Sequence, residues 1–199
     1  MKLRPAALVA VIAALSIAAP ARAAEQTLRL DPAACRVAFT LKATMHTAKG
    51  TLPLREGEIR FDLETGRAGG RVVLDARRAT TENEGRDEKM HAEVLESERF
   101  PEIVFVPAEA RGSLDASGSG TVVLAGTLAI HGAEHPLTVT ASVKTQGERL
   151  AAEGSFTIPY VEWGMKDPSV FVLRVAKVVD VHVEAAGTVA PDTGAGTAR

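Results

Sequence analysis

Cysteine is nearly absent from this sequence: Cys35 is the only one among 199 residues. A single cysteine excludes a disulfide within the chain, and a chain of this length can form a sufficient hydrophobic core without one. Cys35 opens the alternating segment CRVAFTL, where it is in phase with Val37, Phe39 and Leu41. We therefore interpret Cys35 as a small buried hydrophobe rather than as a reactive thiol.

Long apolar runs are lacking after the N-terminal segment, so no later stretch is apolar enough to span a bilayer. The chain opens with MKLRP, continues with AALVAVIAALSIAAP and reaches a small-x-small site at Ala21-Arg22-Ala23. This pattern predicts a secretory signal peptide over residues 1–23 and a periplasmic location. An uncleaved N-terminal anchor is the alternative. Lipidation is not expected, because no cysteine stands at the cleavage point.

An excess of positive charge is lacking as well. Without Lys2, Arg4 and Arg22 of the signal peptide, 20 of the 23 basic residues remain against 25 acidic ones, a formal charge of −5. This balance argues against nucleic acid, and against an anionic membrane surface, as a partner.

What the sequence does contain is period-two alternation of apolar and polar residues, which is typical of β-strands with one buried face. Clusters of Gly, Asp, Ser and Asn separate the alternating runs, as turns require. The predicted strands are CRVAFTL, GEIRFDL, GRVVLDA, PEIVF, TVVLAGTLAI, PLTVTASVK, LAAEGSFTIP, SVFVLRV and VVDVHVEA. Gly126, inside the fifth of these, predicts a bulge or bend.

These eight or nine strands indicate an all-β, antiparallel fold. Only one helical insertion, at about 83–98, is available to cover a sheet. Closure into a barrel is therefore favoured over a two-sheet sandwich, because closure also removes the exposed edges. We assign the barrel domain to residues 24–190 and expect the small, polar tail 191–199 to be disordered.

The helical insertion carries the segment RDEKMHAEVLESERF, which is rich in groups that could serve catalysis. Glu88 and His91 match the Glu-x-x-His motif of di-iron bundles, but that site needs a second motif on facing helices. His91 and Glu93 match part of a zinc deaminase motif whose cysteines are missing. The segment instead reads as a solvated helix, capped by Thr80, Thr81 or Asn83, with an apolar stripe of Met90, Val94 and Leu95.

Other catalytic and metal patterns are incomplete. His131 and His135 have zinc-like spacing, but Gly132 and Pro136 place them in a loop. The sequence has no Gly-x-Ser-x-Gly elbow and no phosphate-binding loop before a helix. We expect no enzyme activity, no metal and no cofactor.

Four segments in order, GEIRFDLETG, RDEKMHAEVLESERFPEIVF, GTLAIHGAEHPLTV and FTIPYVEWGMKDPSVFVLRVAKVVDVHVEA, resemble the YceI family of secreted, lipocalin-like bacterial proteins. The resemblance implies an extended eight-stranded antiparallel barrel with a long apolar lumen and the helix at one end. It also implies a long isoprenoid or other amphiphilic lipid as ligand. The chain departs from the family pattern at Leu52, where many members have an aromatic residue.

The alternation and the resemblance together give the predicted site. Aromatic residues form only 4% of the chain, so a lumen lined by medium-sized aliphatic side chains leaves room for an alkyl or prenyl chain. Arg86, Asp87 and His91 are candidates for a polar rim. Trp163 either covers one end of the lumen or packs as a plug. The expected lumen residues are Val37, Phe39, Leu41, Ile59, Phe61, Val72, Leu74, Ile103, Phe105, Leu124, Leu128, Val139, Phe156, Trp163, Phe171, Leu173 and Val181.

The predicted function is that of a periplasmic binding protein that holds a polyisoprenoid, an isoprenoid quinone or a fatty-acid derivative. A structural or redox-partner protein with a packed barrel is the alternative, and an enzyme based on His and Glu side chains is a weaker one. The resemblance leaves open a separate membrane partner such as a cytochrome. The oligomeric state, including a homodimer, is also open.

Overall fold

The computed structural model describes residues 25–44 and 46–192. The predicted signal peptide lies outside this part of the chain, as do residues 193–199 of the predicted disordered tail. Pro191, which was assigned to the tail, instead ends the last strand, where it pairs with Gln26. Among the described residues, no helix combines the length and the hydropathy needed to cross a bilayer.

The described chain forms one antiparallel sheet that closes on itself. From the fourth strand onward consecutive strands pair along the sheet, and the last strand pairs back with the first. The strands are β1 (Gln26–Leu30), β2 (Arg36–Lys42), β3 (Thr47–Leu52), β4 (Leu54–Asp62), β5 (Arg67–Asp75), β6 (Glu102–Leu114), β7 (Ser119–Ile130), β8 (Ala133–Gln146), β9 (Arg149–Ile158) and β10 (Val179–Pro191).

The ten strands make an eight-stranded barrel because the first two strands of the barrel are each interrupted and so divided into two segments. β1 and β2 together form one of these barrel strands, and β3 and β4 form the other. β1 pairs with β4 and β2 pairs with β3, while β10 runs along both β1 and β2. The predicted eight-stranded antiparallel barrel is therefore confirmed.

The two breaks lie side by side and form a seam in the wall. Val37 lies nine positions after Leu28, but their partners Leu52 and Ile59 are only seven positions apart. At the seam, the Cys35 Sγ accepts a hydrogen bond from the Ala186 N–H (3.3 Å) and donates one to the Ala186 carbonyl (3.4 Å). The cysteine thiol thus replaces part of the interrupted ladder.

β1 and β3 were not predicted. β1 is short, and β3 has the sequence TAKGTL, in which only Ala48 and Leu52 are buried. Neither segment offers enough apolar positions to make a period-two pattern visible. The bend predicted at Gly126 is present as a bulge in the facing strand, where the pairing skips one residue between Pro107 and Glu109.

The segment SVFVLRV was predicted as a strand, and this is wrong. It lies in the connection between β9 and β10, where Val175 makes a single isolated bridge to Ala43. The physical reason is that β10 already pairs with β9 on one side and with β1 and β2 on the other, so the segment before it meets only the end of β2, at Ala43.

The predicted helix at about 83–98 is shorter and less regular than expected. A regular helix, α1, spans Glu84–Lys89, and a π-helical turn, Met90–Val94, continues it. Asn83 is the N-cap, because its side chain accepts a hydrogen bond from the Arg86 N–H at 3.0 Å. The segment packs over one end of the barrel, hereafter the helix end, through Met90, Val94 and Leu95 as predicted.

Candidate functional site

The inward side chains of the strands enclose two adjoining apolar chambers, which share part of their lining. The larger has a volume of about 660 Å³ and the smaller, at the helix end, about 470 Å³. Both lie within the usual range for small-molecule sites. The barrel is therefore not packed solid, which is the property that a lipocalin-like binding protein needs.

A ring of apolar side chains, the waist, belongs to the lining of both chambers. In the waist, the Phe39 ring lies against Gly50, its direct cross-strand partner. A Cβ atom at Gly50 would come within 2.3 Å of the Phe39 ring and 2.5 Å of the Thr80 carbonyl oxygen, so only glycine lets the ring lie there. The six waist residues are Phe39, Leu52, Ile103, Ile130, Ile158 and Val181.

The larger chamber is lined by most of the predicted lumen residues. They alternate with outward-facing polar residues along the strands, as the period of two requires. They are Val37, Phe39, Ile59, Phe61, Val72, Leu74, Ile103, Phe105, Leu124, Leu128, Val139, Phe156 and Val181.

Four predicted lumen residues are placed elsewhere. Leu41 and Leu173 line the smaller chamber. Trp163 lines neither chamber and stacks on His135, with ring centroids 4.1 Å apart and an interplanar angle of 2°. The placement of Phe171 in the lumen is wrong: its side chain is 96% exposed, because the segment SVFVLRV is not a strand of the wall.

Several lining residues were missed. Leu28 and Leu30 come from the unpredicted strand β1, and Leu54 precedes the predicted strand GEIRFDL across a register shift. Ala141, Val143 and Leu150 continue predicted alternations beyond the residues chosen. The signal that could have found the last three is their phase, because each lies an even number of residues from Val139 or Phe156 in the same strand.

Both chambers reach the surface at their own ends of the barrel. Exposed Gln26, Leu114 and Glu148 line the larger chamber, away from the helix. The mouth of the smaller chamber carries the nitrogen-bearing side chains of His46, Asn83, Arg86 and Lys89. The two mouths thus differ in chemistry, and the helix-end mouth is the more basic.

Of the three predicted rim residues, only Arg86 lines a chamber. Its guanidinium donates to the hydroxyl (2.8 Å) and the carbonyl (3.1 Å) of Thr81. The His91 ring is held between the Ser97 hydroxyl and the Ala79 carbonyl, each at 2.9 Å from a ring nitrogen. These contacts give His91 a structural role.

The Asp87 carboxylate is also held by the protein. It accepts hydrogen bonds from the Thr80 hydroxyl and the Thr81 N–H at 2.7 Å each, and a further short one from the Thr81 hydroxyl. Partial burial raises the pKa of Asp87, but the hydrogen bonds from Thr81 and Thr80 outweigh that effect and the pKa lies below its ordinary value.

The groups that suggested metal or catalytic chemistry are dispersed. Among residues 25–44 and 46–192, no three His, Cys, Asp or Glu side chains converge as a metal site would require. His131 approaches Glu96 at 3.0 Å, and this hydrogen bond lowers the pKa of the Glu96 carboxyl. His135 instead stacks on Trp163, and its Nε2 is buried without a partner.

One polar arrangement was missed by sequence reasoning. The Ser155 hydroxyl lies 2.9 Å from His182 Nδ1, and His182 Nε2 lies 3.5 Å from Glu153 and 3.7 Å from Glu184. Cross-strand pairing of β9 with β10 brings these residues together on the outer wall. The Ser155 and His182 side chains line neither chamber.

Cys35 is half-buried and lines the larger chamber. Burial raises the pKa of its thiol above the ordinary value, which keeps it protonated at neutral pH.

A family model described as YceI-like domain matches residues 28–186, which is most of the described chain. No curated protein matches. The crystal structure of BcnA from Burkholderia cenocepacia is similar, with a TM-score of 0.64 and 18% identity over 80% of this chain and 99% of that one.

Two further solved structures show the same fold. A polyisoprenoid binding domain from Saccharophagus degradans, implicated in plant cell wall breakdown, gives a TM-score of 0.63 at 14% identity, covering 81% of this chain and 98% of that one. The YceI protein of Campylobacter jejuni gives 0.57 at 15% identity, covering 73% and 86%.

Proposed function

The chain belongs to the YceI-like domain family, and from that membership we propose that it is a binding protein that holds one long apolar molecule in the barrel lumen. The ligand class we propose is a polyisoprenoid, an isoprenoid quinone or a fatty-acid derivative. The proposal includes no catalytic step and no cofactor.

The observation that carries this proposal is the pair of adjoining chambers with an apolar lining. Their walls are made mostly of aliphatic and phenyl side chains, and the Cys35 thiol and the buried Tyr160 are among the few polar groups away from the mouths. Each methylene of a bound chain contributes about 0.8 kcal/mol through removal from water, so a long chain binds without a polar anchor. The proposal is also supported by the binding named for the Saccharophagus degradans domain.

The two mouths suggest an orientation for the ligand. Arg86 and Lys89 stand at the helix-end mouth, where the Arg86 guanidinium has donors beyond the two that Thr81 uses. A head group with acceptor oxygens is therefore expected at this end, with the chain running through the waist into the larger chamber.

The setting of the protein is a further part of the proposal. The N-terminal pattern favours export to the periplasm. A separate membrane partner such as a cytochrome, and a homodimer, stay predictions.

Filling the larger chamber tests the proposal. Ala141 points into that chamber, whereas its neighbour Ser142 is exposed on the outer wall. We expect Ala141→Trp to reduce the affinity for a fluorescent prenyl or alkyl probe by about tenfold or more, because the indole occupies space that the chain needs. Ser142→Trp is the matched control and should bind the probe as the unaltered protein does.

Extraction of the purified protein followed by lipid mass spectrometry identifies the natural ligand. A protein that carries no lipid and takes up no prenyl or acyl probe would contradict the proposal. Equal probe affinity in the Ala141→Trp and Ser142→Trp variants would place binding outside the lumen.

A further inference from the structure

The connection between β9 and β10 presents a small apolar surface to solvent. The Val170 N–H donates to the Leu173 carbonyl (2.9 Å) and the Leu173 N–H donates to the Val170 carbonyl (3.1 Å), which closes a four-residue turn. At its tip, Phe171 is 96% exposed and Val172 75%, and Val170 beside them is 51% exposed. Tips of turns normally carry Gly, Asn, Asp or Pro, so three adjacent large apolar side chains require an explanation.

This apolar turn (Val170–Leu173) is held firmly in place. The Thr44 N–H donates to the Arg174 carbonyl at 2.9 Å, and the Arg174 N–H donates to the Thr44 hydroxyl at 3.1 Å. The Ser169 hydroxyl accepts the Val175 N–H at 3.0 Å. The exposed side chains are therefore displayed by a fixed scaffold that connects to the end of β2.

The turn is continuous with the mouth of the smaller chamber. Leu173, at the end of the turn, lines that chamber together with Pro168 and Val175 on either side of it. An apolar path thus leads from the exposed tip to the chamber interior.

The size and the surroundings of the apolar turn favour a bilayer over a protein partner. Three side chains are far fewer than the 20–30 residues on each side of a standard interface. Arg174 and Lys177 are exposed next to the turn, where lipid phosphates would meet them. Since the exported chain is acidic overall, insertion of the apolar tip must supply most of the affinity, and attraction to anionic lipid must be secondary.

We propose that the apolar turn inserts into the surface of a lipid bilayer and so sets the helix-end mouth on the membrane, where a bilayer-resident ligand enters the smaller chamber. The proposal deepens the lipid-binding function and rests on it for its purpose, but membrane docking can be measured without any ligand.

Binding to phosphatidylcholine vesicles tests the docking. The double substitution Phe171→Ser with Val172→Ser should weaken co-sedimentation with the vesicles by about tenfold or more, because each lost side chain removes a large apolar group from the membrane. Val106→Ser is the matched control: Val106 is 46% exposed, but it lies on the wall in β6. It should leave vesicle binding unchanged.

A spectroscopic readout locates the insertion. In a Trp163→Phe background, Phe171→Trp places the only indole at the tip, and its emission should shift to shorter wavelength when vesicles are added. In the same background, Val106→Trp should show no shift. Thermal unfolding of each variant checks that the barrel is intact.

The outcomes separate this proposal from the lipid-binding function. Prenyl-probe uptake in the Phe171→Ser, Val172→Ser variant should equal that of the unaltered protein in the absence of vesicles. Absence of vesicle binding in the unaltered protein overturns the docking while leaving uptake intact. Self-association in solution that the double substitution abolishes would also overturn it, because the turn would then serve a second copy.

Discussion

At the residue scale, Asp87 is the group that fastens the helical segment to the barrel wall. Thr80 pairs with Thr51 of β3 through two backbone hydrogen bonds, of 2.8 and 3.0 Å, and Asp87 holds Thr80 and Thr81 in turn. Arg86 donates to Thr81 from the same turn of helix. One carboxylate thus links α1 to the wall through two threonines.

Replacement of the Asp87 carboxylate should destabilise the folded protein. We expect Asp87→Ala to lower the free energy of unfolding by about 2 kcal/mol at pH 7, because the hydrogen bonds to a charged group are lost and their donors are left without a partner. Urea denaturation measures the change. Glu88→Ala, at the exposed neighbouring position, is the control and should lie within about 0.5 kcal/mol of the unaltered protein.

The same measurement has a defined pH dependence. The pKa of Asp87 is lowered in the folded protein, so its contribution to stability is complete above the ordinary carboxyl pKa of 3.8 and is lost as the pH falls below it. The difference between the unaltered protein and Asp87→Ala should therefore shrink on acidification from pH 7 to pH 3. An unchanged difference at pH 3 would refute the role of the charge.

At the scale of elements, β2 and β3 shape the waist between the chambers. Gly50 of β3 provides the space in which the Phe39 ring of β2 lies. The waist is the only place where the described lining of one chamber becomes that of the other, so its width decides whether a chain can occupy both.

We expect Phe39→Trp to narrow the waist and to discriminate between ligands by length. Affinity for a prenyl chain of about 30 carbons should fall by roughly tenfold, while a chain of about 10 carbons, which fits in one chamber, should bind as before. Isothermal titration calorimetry with both chains measures the change in affinity for each. Leu124→Trp, in the larger chamber away from the waist, should weaken both chains, and a uniform loss in Phe39→Trp would contradict the role of the waist.

The sequence predicts elements well where one strand carries its own signal. PLTVTASVK alternates cleanly and is a strand whose Val139 and Val143 face the lumen as the alternation requires. SVFVLRV has equally suitable residues, yet whether it can be a strand depends on an available sheet edge, and distant segments already occupy both edges of β10. The exposure of Phe171 follows from that global property and not from its neighbours.

The residues of the candidate site show the same difference between local sequence signals and properties of the whole barrel. Lumen residues on strands could be predicted, because the period of two fixes the face of each side chain. Trp163 could not be placed, because it lies in an irregular connection where stacking on His135 decides its position. The role of Gly50 depends on a cross-strand contact that only the register defines.

At the scale of the whole molecule, the lumen makes stability and ligand binding interdependent. The chambers exist only in the folded barrel, so a ligand that occupies them binds the folded state alone. The unfolding temperature of the barrel therefore indicates how fully the ligand occupies the lumen.

We expect a bound long-chain ligand at about 100 times its dissociation constant to add roughly 2.7 kcal/mol of stability, which corresponds to an increase in Tm of roughly 5–10 °C for a domain of this size. Scanning calorimetry at several ligand concentrations measures the rise. Ala141→Trp should show little rise at the same concentrations, and an equal rise in that variant would indicate stabilisation by a site on the outer surface.

The seam is the place where we expect the barrel wall to deform most easily. Six of the eight barrel strands are uninterrupted, but the two neighbouring ones are broken at the same level of the barrel. At that level the Cys35 thiol hydrogen-bonds to the backbone N–H and carbonyl of Ala186. A thiol is a weak hydrogen-bonding group, so we expect the strands at the seam to separate more readily than strands joined by an unbroken backbone ladder. We therefore expect the barrel to widen at the seam when a bulky chain passes.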